Sequence, residues 1–297
     1  MAGVMYLGNQ MVSPVIIQGG DDSEKAFATY KVSNGVASQN KTLTGDEFDN
    51  IIEIADNGMR VNFQSKGLSG PVNFKNLISV GFAGLDTTFS YNPNITSASM
   101  PSLKSISDSG MSYAFSNCSG IESADLSSLE TVGDSGLLQA FLDDYSLNSV
   151  NLSSLKTVAD DGLADAFDRT GLYGEFVLSS LESVGWTGLS YTLYETEIES
   201  LKLTSLSSIG NYGLMGVVAG CKKLSSMYFN SLKTSTFATK KNQLQEMFDE
   251  YTSETSGSCT VHFPSNLQST IATLIGYPTF GGNSSRIILA FDLPATS

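Results

Sequence analysis

One repeat dominates the chain. Aligned on a single apolar position, it reads Ile51, Leu77, Leu103, Leu129, Leu155, Leu181, Leu206 and Leu232, with steps of 26 residues and one of 25 between Leu181 and Leu206. Three residues on stand Ile54, Val80, Ile106, Val132, Val158, Val184 and Ile209. A glycine followed by Leu or Met comes next, as in Gly110-Met111, Gly136-Leu137 and Gly162-Leu163. The twelfth offset holds Phe63, Phe89, Phe115, Phe141 and Phe167, then Leu193 and Val218. A unit this short cannot bury its apolar face alone. Repeats of this length stack into a solenoid whose core runs through all the coils.

The shape of a coil follows from its spacing. Ser149-Val150-Asn151-Leu152 alternates polar and apolar residues, the period of a half-buried strand with Val150 and Leu152 inward. Leu137, Ala140 and Phe141 fall at i, i+3 and i+4, which predicts a short helical face, with Asp134 placed to cap its first turn. The expected fold is an α/β solenoid with one short parallel strand and one short helix per coil.

Phrases such as Leu103 to Leu126, LKSISDSGMSYAFSNCSGIESADL, and Leu206 to Phe229, LSSIGNYGLMGVVAGCKKLSSMYF, carry Phe or Val, then Cys three residues on, then Ile or Leu. This pattern resembles the BspA-like leucine-rich repeats of bacterial surface proteins and some phage-associated proteins. The resemblance spans about Ile51 to Phe263. Only Cys118 and Cys221 keep the cysteine, and the last turn from Leu232 loses its glycine. It implies a leucine-rich repeat fold and a non-catalytic binding or adhesion role. It names no site, because such families share a packing pattern.

The ends read as separate units, with the solenoid at 51–263. Residues 1–50 predict a small β-rich cap: Val4 to Leu7 and Gln10 to Gln18 form a hairpin about Gly8-Asn9, with Pro14 on an edge. A further strand is expected in AFATYKV, Ala26 to Val32. Thr44-Gly45-Asp46-Glu47 has the spacing of a capping box. The same unit is also a candidate docking module for a homo-oligomer or a virion. The mixed cap at 264–297 reads as a short helix, a Pro/Gly-rich turn and a final strand from Ile287 to Leu293. The N-terminus lacks the basic start and apolar run of a secretion signal, so the sequence favours a virion or extracellular location after lysis, with the cytoplasm as the alternative.

A formal charge of −14 argues against nucleic acid and anionic lipid as partners, and no apolar window is long enough to span a membrane. Cys118 and Cys221 sit four coils apart, roughly 19 Å at one strand spacing per coil, beyond disulfide reach. Cys259 has no evident partner. His262 is the one histidine, no catalytic or nucleotide motif accompanies it, and no cofactor is implied, so the chain is read as no enzyme.

Recognition is expected on the outward side of the strands. The residues are Ser123, Asp125, Ser149, Asn151, Glu175, Lys202 and Tyr228, joined by Trp186 among edge aromatics that include Tyr91, Tyr113, Tyr191 and Tyr194. Small hydroxyl and amide groups suit a protein or glycan ligand at a cell surface, and aromatics supply stacking. Alternatives are a purely structural phage tail or head appendage and a glycan-active enzyme. Asp108, Asp134 and Asp160 line up in consecutive coils. That row would suit a hard cation, but the favoured reading is that each caps its own short helix.

Overall fold

The computed structural model describes residues 42–49, 51–237, 244, 246–248, 258–275 and 287–296, and the backbone of 5–7, 10–12 and 15–17. At the N-terminus β1 (Met5–Leu7) pairs antiparallel with β2 (Gln10–Val12), joining Met5 to Val12 and Leu7 to Gln10, so the turn of the expected hairpin is present while its second strand, expected from Gln10 to Gln18, is divided. β3 (Val15–Ile17) lies parallel to β4 (Ile51–Ile54) and so attaches this segment to the first coil. Pro14, the strand expected at 26–32 and the loop after it lie outside the described residues.

The chain is a parallel β-solenoid with the expected coil length, and each coil contributes two strands and a ribbon of turns. Longer strands alternate along the chain with short ones: β5 (Ser69–Asn73), β6 (Ser79–Val80), β7 (Asn94–Ser99), β8 (Ser105–Ile106), β9 (Ser123–Asp125), β10 (Thr131–Val132) and β11 (Ser149–Asn151). The series continues through β12 (Thr157–Val158), β13 (Tyr173–Val177), β14 (Ser183–Val184), β15 (Glu197–Lys202), β16 (Ser208–Ile209), β17 (Ser226–Tyr228), β18 (Cys259–Pro264) and β19 (Ile287–Leu293). The short strands stack with β3 and β4 into one eight-stranded sheet. The longer ones form a four-stranded sheet ending at β11 and a five-stranded sheet beginning at β13.

The helix expected in each coil is replaced by the turn ribbon; among the described residues the one α-helix, α1 (Gln268–Ile275), follows the last coil. Backbone bonding shows why. In the coil of Leu103, Gly110, Ser112, Ala114, Ser116 and Cys118 each donate an N–H to the carbonyl three residues back, at 2.9 to 3.2 Å. The residues between them, Ser109, Met111, Tyr113, Phe115 and Asn117, donate to the next coil 25 residues on, at 2.8 to 2.9 Å. Every N–H is therefore satisfied, half within the coil and half between coils, which an α-helix does not offer its neighbours. The geometry needs a left-handed residue every fourth position, and Ser109, Tyr113 and Asn117 have φ of 52°, 54° and 61°. A four-residue repeat also places Leu137, Ala140 and Phe141 inward, so all three are buried as the helical spacing predicted.

One continuous core runs from Leu43 to Ile271. At its centre the phenylalanines at the twelfth offset stack face to face. Centroids lie 5.3 Å apart for Phe63 and Phe89, 5.2 Å for Phe89 and Phe115, 5.4 Å for Phe115 and Phe141, and 5.6 Å for Phe141 and Phe167. Each such contact adds about 0.5–1.5 kcal/mol beyond area burial. The three cysteines are free and buried, and Cys118 and Cys221 each point Sγ at a carbonyl, Phe89 O at 3.1 Å and Leu193 O at 3.0 Å. No helix among the described residues is long and apolar enough to cross a membrane.

Candidate functional site

The outward side chains of the longer strands fall into rows because parallel pairing holds them in register. Ser97, Ser123 and Ser149 form one row, and Ser99, Asp125 and Asn151 another, each stepping by one coil. Ser123, Ser149 and Asn151 are exposed. Asp125 and Asn151 also close the strand ends, each accepting an N–H two residues on, from Ser127 at 3.0 Å and Ser153 at 3.1 Å. Their shape is therefore fixed by the backbone before any ligand arrives.

The C-terminal sheet organises its face differently. Lys202 Nζ lies 2.5 Å from Glu175 Oε2 and 5.8 Å from the ring centre of Tyr228. Tyr228 stacks on His262 at 4.5 Å with the rings within 3° of parallel, and His262 Nδ1 is 2.9 Å from Asp292 Oδ1. Five residues from five strands thus engage one another across the coils. Glu175, Lys202 and Tyr228 were expected as ligand contacts, yet here they are held sideways in a ladder. Sequence reading passed over Asp292 and gave His262 no partner; the signal was the return of β19 beside β18, which brings residues 30 apart into contact.

Trp186 is half exposed but lies two residues past the end of β14, at the start of the ribbon, and so stands apart from the sheet-face residues. Tyr91 and Tyr113 are exposed, and Tyr191 and Tyr194 meet edge to face at 6.0 Å.

The aspartate row has another role than capping its own coil. Asp56, Asp108, Asp134 and Asp160 each accept, through Oδ1, the backbone N–H of the equivalent residue one coil on. The donors are Phe82 at 2.8 Å, Asp134 at 3.0 Å, Asp160 at 3.2 Å and Trp186 at 2.6 Å. Turns follow these aspartates where helices were expected, so there is no helix end for them to cap. Each carboxylate instead fastens one coil to the next. Gly133 permits the approach, since a Cβ there would lie 2.6 Å from Asp108 Oδ1. Among the described residues no three Asp, Glu, His or Cys side chains gather closely enough to hold a metal ion.

Two buried acids flank the junction between the two longer-strand sheets. Asp144 is fully buried. Its Oδ1 accepts the Cys118 N–H at 2.6 Å, while Oδ2 has no partner among the described residues, and burial pushes its pKa up to about 9. Asp168, in the next coil, sits 3.2 Å from Arg169 Nη1 and has its Oδ1 without a partner among the described residues; burial raises it to about 7. Sequence reading passed over Asp168 and took Asp143-Asp144 for adjacent acids of a surface turn, although the row to which Asp144 belongs holds Asn92, Cys118, Thr170, Thr196 and Cys221, all hydrogen-bond donors.

No family model matches the chain, and no curated protein does either. Among solved structures it is similar to a leucine-rich repeat protein from Bacteroides ovatus, at 13% identity and a TM-score of 0.35, covering 73% of this chain and 62% of that one. A leucine-rich cell surface protein from Faecalibacterium prausnitzii matches at 12% identity and a TM-score of 0.24, covering 72% and 77%. The pneumococcal vaccine antigen PcpA matches at 12% identity and a TM-score of 0.20, covering 77% and 89%.

Proposed function

We propose that this chain is a non-catalytic recognition protein. Its binding surface is the outward face of β7, β9 and β11, and its ligand an extended protein or glycan at a bacterial or host surface, with the chain acting as a phage-encoded virion component. The observation that carries this reading is the pair of in-register rows, Ser97-Ser123-Ser149 and Ser99-Asp125-Asn151. They set hydroxyl, amide and carboxylate groups at one strand spacing, about 4.8 Å, along a rigid scaffold. That array matches a polymer whose polar groups also repeat. The C-terminal half of the face, by contrast, satisfies its charges within the Glu175 to Asp292 ladder.

The test is a screen of glycan and peptide arrays with the wild-type chain and with a Ser123→Arg/Ser149→Arg variant. These exposed positions tolerate a long side chain, so the variant keeps its fold, and binding to the wild-type's ligands is expected to disappear. Equal binding by the variant, or an absence of any specific ligand for the wild type, would contradict the reading.

A further inference from the structure

From β5 to β19, consecutive longer strands pair at every interface except that between β11 and β13. The cause is local. Leu172 to Leu178 holds one residue more than Leu147 to Leu152. Gly174 absorbs it with φ of +72°, and the pairing of β13 with β15 shifts register directly after it. Such a bulge disrupts the ladder beside it. Elsewhere the residue after a longer strand fastens it to the next coil: Met100 N–H donates to Asp125 O at 2.7 Å, Leu126 N–H to Asn151 O at 3.0 Å and Leu178 N–H to Lys202 O at 2.9 Å. Among the described residues Leu152 N–H, the equivalent donor, makes no such bond to β13. The two coils still meet at one strand spacing. They are held by β10 against β12, by ribbon bonds as far as Asp143 N–H to Asp168 O at 3.1 Å, and by Ser180 Oγ to Ser153 O at 2.7 Å. The interface is shut, but without its strand ladder.

The two buried acids stand at the ribbon's end in these same coils, Asp144 ahead of β11 and Asp168 ahead of β13. Asp144 is faced by the Cys118 thiol of the preceding coil and by Asp143, and among the described residues by no cation. Asp168 is faced by Arg169 and Asp165 of its own coil, by Asp143 of the preceding coil and by Glu195 of the following one. Arg169 is held more closely by Asp143, with Nε 2.7 Å from Asp143 Oδ1 against 3.2 Å from Nη1 to Asp168 Oδ2. A buried carboxyl with an unpaired oxygen and no cation of its own is neutral while it stays buried, and ionises once water reaches it. Burial holds the closed acids at about 9 and about 7, while an aspartate opened to water returns to about 3.9. Between those limits opening releases protons, so rising pH favours it.

We propose that the interface between these two coils is a pH-responsive joint, closed while Asp144 and Asp168 are protonated and opening along its β11–β13 side as they ionise. The two halves of the strand face, β5 to β11 and β13 to β19, are then held in line at low pH and released from one another at higher pH. This goes beyond the reading of that face as a recognition surface and does not depend on it.

The test is amide hydrogen exchange of the full chain from about pH 5 to pH 7, each rate divided by the intrinsic rate at that pH to give an opening constant. The reporting amides are Asp143, Asp144 and Leu147, which donate to Asp168 O, Phe141 O and Asp144 O. Their opening constants are expected to rise about a hundredfold or more across this range, because each acid that ionises only in the open form contributes about tenfold per pH unit. Leu85 and Thr87, two coils earlier, donate to Gly110 O and Ser112 O. Their constants should be much smaller at every pH, since those amides open only when the whole chain does. In the Asp144→Asn/Asp168→Asn chain the constants at 143, 144 and 147 should be level with pH. Constants at these amides that do not rise with pH in the wild type would overturn the proposal, as would an unaltered slope in the double variant. So would constants equal to those at Leu85 and Thr87 throughout, which would show that the acids ionise only on global unfolding.

Discussion

Asp144→Asn is expected to stabilise the chain in proportion to pH. The other residues of its row donate to a carbonyl. Asn92 Nδ2 reaches Phe89 O at 2.7 Å, Thr170 Oγ1 reaches Phe167 O at 2.9 Å, and Thr196 Oγ1 reaches Leu193 O at 2.9 Å. Asp144 matches them only as a neutral acid, with Oδ1 accepting from Cys118 and a protonated Oδ2 free to donate. Burial raises it to about 9, from an ordinary value of 3.8. Between those limits the native chain holds a proton that the unfolded chain has released. Stability is therefore full below about pH 4 and falls by about 1.4 kcal/mol per unit as pH rises towards the folded value. From pH 4 to pH 7 the loss is about 4 kcal/mol. Asparagine keeps the acceptor and supplies the donor without a proton, so its stability has no such slope. Thermal denaturation from pH 4 to pH 8 should show the two chains melting close together at pH 4 and the variant on the order of 10 °C higher at pH 7. A gap of the same size at both pH values would refute the assignment of a buried neutral acid.

Three further outcomes test the packing of the coils. Phe115→Ala removes the middle ring of the stack and should cost about 3–5 kcal/mol by chemical denaturation, because both flanking rings are fixed by their own coils; a loss under about 1 kcal/mol would show that the stack relaxes freely. Gly133→Ala puts a methyl group 2.6 Å from Asp108 Oδ1 and 2.8 Å from Asp108 N, and should lower the melting temperature by several degrees, whereas an unchanged melt would mean the coils are not so closely set. The Asp108→Ala/Asp134→Ala/Asp160→Ala variant loses three inter-coil bonds and should melt a few degrees lower, with calcium shifting neither chain; stabilisation of the wild type alone by calcium would revive the cation site.

Much of the architecture could be read from residues, because a solenoid writes its packing once per coil. The leucine row, the phenylalanine stack, the separation of Cys118 from Cys221 and the alternation along Ser149 to Leu152 all come from positions repeated several times. The helix did not follow, because the spacing of Leu137, Ala140 and Phe141 is shared by a helix and by a four-residue turn ribbon. Only the inter-coil hydrogen bonds separate the two, and they depend on residues 25 apart. Asp134 was misassigned for the same reason: its partner is the Asp160 N–H in the next coil, not its own turn. Glu175, Lys202 and Tyr228 were legible as an outward row, while their lateral engagement needed β18 and β19 in place. The break between β11 and β13 was visible only as one extra residue before Leu178, too small a signal without the glycine geometry beside it.

The turn ribbon sets the coil spacing and hence the strand face proposed for recognition, so its backbone is the most direct point of test. Glu195 is exposed and left-handed, with φ of 53°. Glu195→Ala and Glu195→Gly remove the same charge and differ only in what the backbone prefers. In the ribbon the glycine chain should be the more stable by about 1 kcal/mol, since alanine keeps the left-handed penalty. If this stretch were helical, the alanine chain would be the more stable by about the same amount. A higher melting temperature for Glu195→Gly is the result the account predicts, and a higher one for Glu195→Ala would contradict it.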